Sequence, residues 1–92
     1  MKYTVNYERK ARKQLSKMDS SVSKKIYAWV DKHLEGCDNP RALGKALTGN
    51  WAGYWRYRVG DYRLIADIQD DKIIIVIAEV AHRKEIYKEA RA

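Results

Sequence analysis

The stretch WRYRVGDYRLIADIQDDKIIIVIAEV, residues 55–80, decides the fold. It holds three runs rich in β-branched and aromatic residues, separated by the pairs Gly60-Asp61 and Asp70-Asp71. Two-residue connections built from Gly and Asp are typical of tight hairpins between such runs. The stretch therefore predicts three consecutive antiparallel strands, over residues 55–59, 62–69 and 72–80.

The last of these strands is apolar on both faces. Its uninterrupted aliphatic run, IIIVIA at residues 73–78, is far shorter than the roughly 20 residues that a membrane helix needs. We therefore interpret it as a core strand. Ala81, His82 and Arg83 follow it, where the chain leaves the core and can present side chains for binding.

A two-residue turn after the first strand of the meander fixes the register of the hairpin. It places Arg58 opposite Arg63 on one face of the sheet, with Arg56 two residues along the same face. Like charges that face each other destabilise a sheet unless an anion lies between them, so this pair predicts an anion-binding site. The alternating neighbours point to the other face, where we expect core packing by Trp55, Tyr57, Tyr62 and Leu64.

Upstream of the meander, the sequence predicts one strand and two helices. KYTVNY, residues 2–7, alternates apolar and polar residues as a half-buried strand does. ERKARKQLSKM, residues 8–18, lacks Gly and Pro and predicts a helix whose apolar face carries Ala11, Leu15 and Met18. A second helix begins after Asp19 or Ser20 and ends near Gly36, with an apolar stripe of Val22, Ile26, Trp29, Val30, His33 and Leu34.

These elements define an α+β fold in the order β-α-α-β-β-β, with a short C-terminal helix or tail. At 92 residues the chain predicts a single domain over residues 1–92. Residues 37–53 hold the only proline and three glycines, so we expect loop and turn there, with Leu43 and Leu47 as buried anchors.

The charge of the chain is strongly positive and unevenly distributed. Nineteen Lys and Arg against 12 Asp and Glu give a formal net charge of +7, which favours contact with polyanions such as nucleic acid. The first predicted helix concentrates this charge. A solvated face is the usual meaning of such a run, but it also fits phosphate contacts with a nucleic acid through Arg9, Lys10, Arg12, Lys13 and Lys17.

The segment after the last strand combines groups that RNA cleavage requires. A histidine titrates near neutrality, an arginine neutralises phosphate charge, and a tyrosine hydrogen-bonds or stacks on a base. His82, Arg83 and Tyr87 supply these groups. The simplest interpretation of His82 alone is a solvated histidine at a strand end. The single cysteine, Cys37, has no ligand-spaced partner, so we predict no metal, no disulfide and, in the absence of a secretory signal, a cytoplasmic location.

The stretch WRYRVGDYRLIADIQDDKIIIVIAEVAHRKEIY resembles the C-terminal half of the RelE/ParE superfamily of bacterial type II toxins, and its RelE-like members most closely. The hairpin YRVGDYRLI and the terminal HRKEIY carry the resemblance, which implies the RelE-like microbial RNase fold. It further implies an mRNA interferase that cuts the codon in the ribosomal A site, without metal or cofactor, and leaves a 2′,3′-cyclic phosphate. By position, Arg63 and Arg83 match the family's phosphate-binding arginines, and Tyr87 matches its functional tyrosine.

The chain departs from the best-known RelE subgroup on the strand before the turn, where Arg56 and Arg58 stand in place of lysines. Arginine holds phosphate but is a poor general acid. Other RelE-like branches place a catalytic histidine near position 82, so His82 inherits proton transfer in this interpretation. The predicted RNA contacts are Arg56, Arg58, Lys45, Lys84, Trp51 and Tyr54.

Two other functions stay open from the sequence. One is a ParE-like inhibitor of DNA gyrase without nuclease activity, because both branches share this fold. The other is a basic RNA-binding module without toxicity. Either toxin function implies a cognate, RelB-like antitoxin, acidic in patches and partly disordered, that wraps the basic face. The interferase function adds mRNA and the 70S ribosome as partners and involves no membrane.

Overall fold

The computed structural model describes residues 1–85 of the chain. Two helices cover one face of a five-stranded mixed sheet whose strand order is β1-β5-β4-β3-β2. The elements are β1 (Thr4–Tyr7), α1 (Arg9–Ser16), α2 (Ser20–His33), β2 (Gly44–Ala46), a 3-10 turn (Gly49–Trp51), β3 (Trp55–Val59), β4 (Tyr62–Gln69) and β5 (Ile74–His82). The predicted α+β class and order of elements are confirmed, with β2 as an addition. The predicted C-terminal helix or tail, which holds Tyr87, lies outside the described residues.

The β3–β4 hairpin has the predicted register. Arg58 lies opposite Arg63, and the residues on either side of each arginine, among them Tyr57 and Leu64, point into the core beneath the helices. Gly60 adopts a φ of 59°, the left-handed conformation that a tight turn requires and that glycine tolerates without a steric penalty.

The connection between β4 and β5 differs from the prediction. Gln69 pairs with Ile74, so four residues, 70–73, join the strands instead of the two expected. The backbone amide of Lys72 donates to Gln69 O and that of Ile73 to Asp70 O, which closes a wider turn and moves β5 two residues along the chain. A register shift between Ile65 and Ala66 displaces the pairing once more.

β1 joins the sheet by a parallel pairing with β5, from Thr4 opposite Ile74 to Tyr7 opposite Ile77. The sequence indicated the strand but not its partner. β5 therefore has a neighbouring strand on both sides over its first half. Beyond Ile77, β5 continues to His82 without β1 beside it.

The core lies between the helices and the sheet. Both helices present the predicted apolar stripes, and Asp19 occupies the N-cap position of α2 without a side-chain capping bond. His33 lies at the boundary, with its ring centroid 4.9 Å from that of Trp29. The buried side chains of this core include Ala11, Leu15, Ile26, Val30, Leu34, Tyr57, Leu64, Ile75, Ile77 and Val80.

The segment 37–53 is anchored differently from the prediction. Leu43 is wrong as a buried anchor, because its exposed fraction is 56%, and Leu47 is half-buried. The anchors are polar instead: the buried Tyr57 hydroxyl donates to Pro40 O, and Arg41 binds Asp70 through both Nη atoms at 3.0 and 2.8 Å.

Candidate nucleic-acid interface

Four predicted cations share the face of the sheet that the helices leave open. Lys45 of β2 pairs with Arg56 of β3, and Arg58 of β3 pairs with Arg63 of β4. Because antiparallel partners point to the same side of a sheet and alternate residues share a face, all four side chains project from this surface, the arginine face. Lys45 and Arg58 are exposed, Arg56 is half-buried, and Arg63 is buried.

Arg63 is the most unusual of these residues. It is only 5% exposed, yet within residues 1–85 its Nη1 donates solely to two backbone carbonyls, Gly60 O at 2.9 Å and Tyr62 O at 3.0 Å. Its Nε is buried and has no hydrogen-bond partner in the part of the chain that the structure describes. Within residues 1–85 the ion pairs involve other residues, so no carboxylate there neutralises this guanidinium. A buried cation without a counter-charge is costly, and an anion bound between Arg58 and Arg63 would remove that cost.

Arg83 lies at the same edge of the arginine face. Ala81 pairs with Arg63, and Arg83 follows two residues later, just past the end of β5. Its backbone amide donates to Asp61 O at 2.8 Å, which ties the strand end to the β3–β4 turn, and its side chain is exposed. Lys84 is also exposed, and its amide donates to His82 Nδ1 at 3.3 Å.

His82 lies on the other side of the sheet from the arginines. It pairs with Tyr62, whose side chain packs against the main core, and the two rings meet edge to face with centroids 5.5 Å apart. A hollow of about 350 Å³ opens beside it, lined in part by Met18 and Val80. Neighbours in a strand point to opposite faces, so sequence proximity to Arg83 does not bring His82 to Arg63.

Trp51 and Tyr54 lie beside the cations, over a second small apolar cluster. Their rings are 5.3 Å apart in an edge-to-face arrangement, and both pack against the buried Ile65 and Ala81, together with Leu47. Ile65 shares the face of Arg63 by strand alternation, so the sequence carried a signal for this cluster that the prediction did not use. Both aromatic side chains are half-buried and keep part of their surface beside the arginine face.

The cations of α1 divide into two groups. Arg9, Arg12 and Lys13 line a shallow depression of about 480 Å³ together with Ser16, and Lys17 is exposed at the end of the helix. Lys10, in contrast, forms an ion pair with Glu79 of β5, at 3.0 Å between Nζ and Oε1.

Two residues near this site were missed by the sequence reasoning. Glu79 is only 3% exposed, and Gln14 of α1 accepts a hydrogen bond from the Val80 amide at 2.7 Å. The carboxylate inside the apolar run IIIVIAEV was a usable signal, because a buried charge requires a partner.

No three or more His, Cys, Asp or Glu side chains among residues 1–85 converge to hold a metal ion. None of the helices found in that range is long and apolar enough to cross a membrane. Tyr87, the last of the predicted catalytic residues, lies outside the range.

Comparison with known proteins shows which protein family this chain belongs to. Residues 5–87 match the family described as the ParE toxin of type II toxin-antitoxin systems, parDE, and the chain belongs to that family. The resemblance to the RelE/ParE superfamily drawn from the hairpin and HRKEIY is thereby confirmed.

Individual relatives come from the RelE side of the superfamily. The chain is similar to Toxin RelG of Mycobacterium tuberculosis, with 34% identity over 96% of this chain and 99% of the relative. It is 28% identical to the mRNA interferase toxin RelE of Escherichia coli, over 98% of this chain and 95% of the relative. Among solved structures, the toxin-antitoxin complex RelBE2 of M. tuberculosis aligns with a TM-score of 0.76 at 29% identity, over 90% of this chain and 100% of that one.

Proposed function

We propose that this toxin is a ribosome-dependent, metal-independent endoribonuclease that cleaves messenger RNA in the A site. The observation that carries the proposal is Arg63, a guanidinium that is 5% exposed, faces Arg58 and has no carboxylate partner among residues 1–85. Such a site fits a phosphodiester, whose non-bridging oxygens accept paired hydrogen bonds from guanidinium groups. The similarity of this chain to the mRNA interferase toxin RelE of E. coli supports the same chemistry.

In the proposed reaction the 2′-oxygen of the nucleotide loses its proton and attacks the adjacent phosphorus. The bond from phosphorus to the 5′-oxygen breaks, and that oxygen takes up a proton. The products are a 2′,3′-cyclic phosphate and a 5′-hydroxyl. Arg63, Arg58 and Arg83 stabilise the extra negative charge that accumulates on the phosphorane oxygens. The buried Arg63 contributes most, because a donor that is already desolvated and fixed interacts more strongly with that charge than an exposed one does.

The proton transfers fall to other groups, because an arginine does not exchange protons near neutrality. Tyr87 remains the proposed residue for orienting the RNA and assisting deprotonation. For His82 to protonate the leaving oxygen, the RNA would have to pass around the end of β5, since the imidazole packs on Tyr62 away from the arginine face. A donor in the ribosome or the RNA is the alternative source of that proton.

The remaining cations position the RNA. Lys45, Arg56 and Lys84 extend the positive surface around Arg63, and Trp51 and Tyr54 offer ring surface for a base beside it. On α1, the exposed Arg9, Arg12, Lys13 and Lys17 are the proposed contacts with ribosomal RNA. Lys10 contributes charge to that helix while its ammonium pairs with Glu79.

The proposal includes an antitoxin as a partner in the cytoplasm. Two of the similar solved structures are described as complexes of a RelE toxin with RelB or as RelBE2, at 25% and 29% identity to this chain. A RelB-like protein that covers the arginine face would block access of RNA to Arg63.

Primer extension on a defined message in a reconstituted translation system tests the function. We expect discrete cuts at A-site codons that require ribosomes, and a loss of at least about 100-fold in Arg63→Met. Lys32→Met, which removes an exposed cation of α2, is the matched control and should cleave as the wild type does. Folded Arg63→Met protein that cuts at the wild-type rate would overturn the proposal.

The match to the ParE toxin family favours one second candidate, inhibition of DNA gyrase. A supercoiling assay with the same preparation separates the two functions. Inhibited supercoiling together with intact message would select the gyrase function.

A further inference from the structure

Within residues 1–85 the far half of β5 has no strand on one side, and α1 packs there instead. β1 ends at Tyr7, opposite Ile77, while β5 continues to His82. An exposed strand edge leaves amide groups without partners. Here the side chain of Gln14 substitutes for the missing strand, because its Oε1 accepts from the Val80 amide at 2.7 Å.

The same glutamine also contacts the residue before Val80. Gln14 Nε2 lies 3.5 Å from Oε1 of Glu79, and Lys10, one helical turn earlier, pairs with that oxygen at 3.0 Å. Glu79 is 3% exposed, and its second oxygen has no hydrogen-bond partner among residues 1–85. A buried carboxylate with a partner for only one of its two oxygens is poorly suited to a role in stability alone.

We propose that Gln14, which contacts the Glu79 carboxylate paired with Lys10, is a positioning residue that fixes the end of β5 and thereby the place of Arg83 relative to Arg63. The proposal rests on the proposed function, in which both arginines hold the reacting phosphate. Val80 lies three residues before Arg83, and Ala81 between them pairs with Arg63. A shift of β5 along this edge would therefore move Arg83 directly, and misplacement of a catalytic group by about 1 Å can cost 100-fold in rate.

The proposal also assigns Lys10 a different task from its neighbours on α1. If the Lys10 ammonium bound an RNA phosphate instead of Glu79, the buried Glu79 carboxylate would lose its counter-charge. Within residues 1–85, Arg9, Arg12 and Lys13 form no ion pair with a carboxylate, and they line the outer depression instead.

Amide hydrogen exchange and cleavage kinetics on three variants test the role. Gln14→Met removes both polar contacts at similar volume. Gln14→Glu keeps the acceptor for Val80 but sets a carboxylate against Glu79. The double variant Gln14→Glu/Glu79→Gln reverses the two groups, and Lys10 then pairs with the new carboxylate four residues along the helix. Gln69→Met, which makes the same chemical change at the far end of β4, is the control.

We expect both single variants to speed exchange of the Val80 and Arg83 amides about tenfold while core amides such as Leu64 stay protected. The cleavage kcat should fall about tenfold with little change in KM, and the double variant should recover both properties. The Arg83 amide reports the strand end independently of activity, because it donates to Asp61 O.

Three results would overturn the positioning role. The first is an unchanged exchange rate of the Val80 amide in Gln14→Met. The second is faster exchange of the Val80 amide in the single variants while the exchange of the Arg83 amide and kcat both stay unaltered. The third is a double variant that recovers neither slow exchange nor kcat. If the wild type itself does not cleave RNA, the proposed function is what fails. Exchange at Arg83 and its recovery in the double variant then still decide whether Gln14 fixes the strand end.

Discussion

Arg58 and Arg63 lie directly opposite each other across the β3–β4 ladder, and the more buried of the two, Arg63, donates to the backbone carbonyls of Gly60 and Tyr62. Two guanidinium groups in this arrangement repel each other, and burial weakens the screening by water that would reduce the repulsion. The protein therefore keeps a local electrostatic cost at this site. Such a cost is typical of binding sites, where it is recovered when the ligand arrives.

Anion binding should stabilise the folded protein through this pair. We expect sulfate at ten times its dissociation constant to raise stability by about 1.4 kcal/mol, or roughly 6 °C in Tm for a domain of this size. Arg63→Met should lose this response without a lower Tm in the absence of sulfate, because it removes a buried charge. Thermal unfolding at matched ionic strength, with sodium chloride as the reference salt, measures both effects.

Sulfate also stabilises proteins by exclusion from their surface, so the comparison needs a control. Lys32→Met loses one exposed charge and should keep the full sulfate response. Equal responses in wild type and Arg63→Met would show that the arginine pair is not the binding site.

The arginine pair could be predicted from sequence because a two-residue turn and strand alternation fix it without tertiary information. The position of His82 could not, since it depends on the connection between β4 and β5. A two-residue turn at Asp70-Asp71 would pair Arg63 with Ala78 and place His82 on the arginine face. The four-residue connection and the register shift move the partner of Arg63 from Ala78 to Ala81. Because this displacement is an odd number of residues, each side chain of β5 changes to the opposite face of the sheet, and Arg83 joins the arginines in place of His82.

Contacts between segments that are far apart in the sequence could not be predicted from it either. Nothing local indicates that β1 pairs with β5 in parallel, or that Gly44 pairs with Tyr57. Leu43 illustrates the same limit: a leucine in a loop is a reasonable anchor by hydropathy, but Pro40 and Arg41 hold that segment through Tyr57 and Asp70. Polar contacts over such separations leave no periodic pattern.

The Asp70 carboxylate should make stability depend on pH in the acid range. Hydrogen bonds from the Arg41 guanidinium, and then from the Tyr3 hydroxyl, lower its pKa from an ordinary value of 3.8 to about 2. The folded-state pKa is the lower one, so this contribution is present above about pH 4 and is lost as the pH falls through 2. We expect the Tm gap between wild type and Asp70→Asn to narrow steadily over that range.

Asp71→Asn serves as the control, because it alters the neighbouring carboxylate in the same exposed turn. Its Tm should follow that of the wild type at each pH. A Tm difference between wild type and Asp70→Asn that stays constant from pH 6 to pH 2 would mean that the contacts of Asp70 with Arg41 and Tyr3 do not persist in solution.

Gly44 should be intolerant of any side chain. A Cβ there would lie 3.0 Å from Tyr57 Cε1 and 3.2 Å from Arg56 O, and Tyr57 is fully buried. We expect Gly44→Ala to destabilise the fold by about 1–3 kcal/mol in urea unfolding, and to displace Lys45 from the arginine face. Ala46→Val adds more volume at an exposed position of the same strand and should cost far less. Similar losses in the two variants would contradict the close approach of Gly44 to Tyr57.

His82→Phe separates proton transfer from ring packing. Phenylalanine keeps the edge-to-face contact with Tyr62 and exchanges no proton, whereas His82→Ala loses the contact as well. Because the imidazole lies across the sheet from Arg63, we expect His82→Phe to cleave message within about tenfold of wild type, a smaller loss than removal of a general acid causes. His82→Ala should instead lower Tm by a few degrees. A loss of cleavage beyond about 100-fold in His82→Phe, with unchanged Tm, would assign the leaving-group proton to His82 and require the RNA to pass around the end of β5.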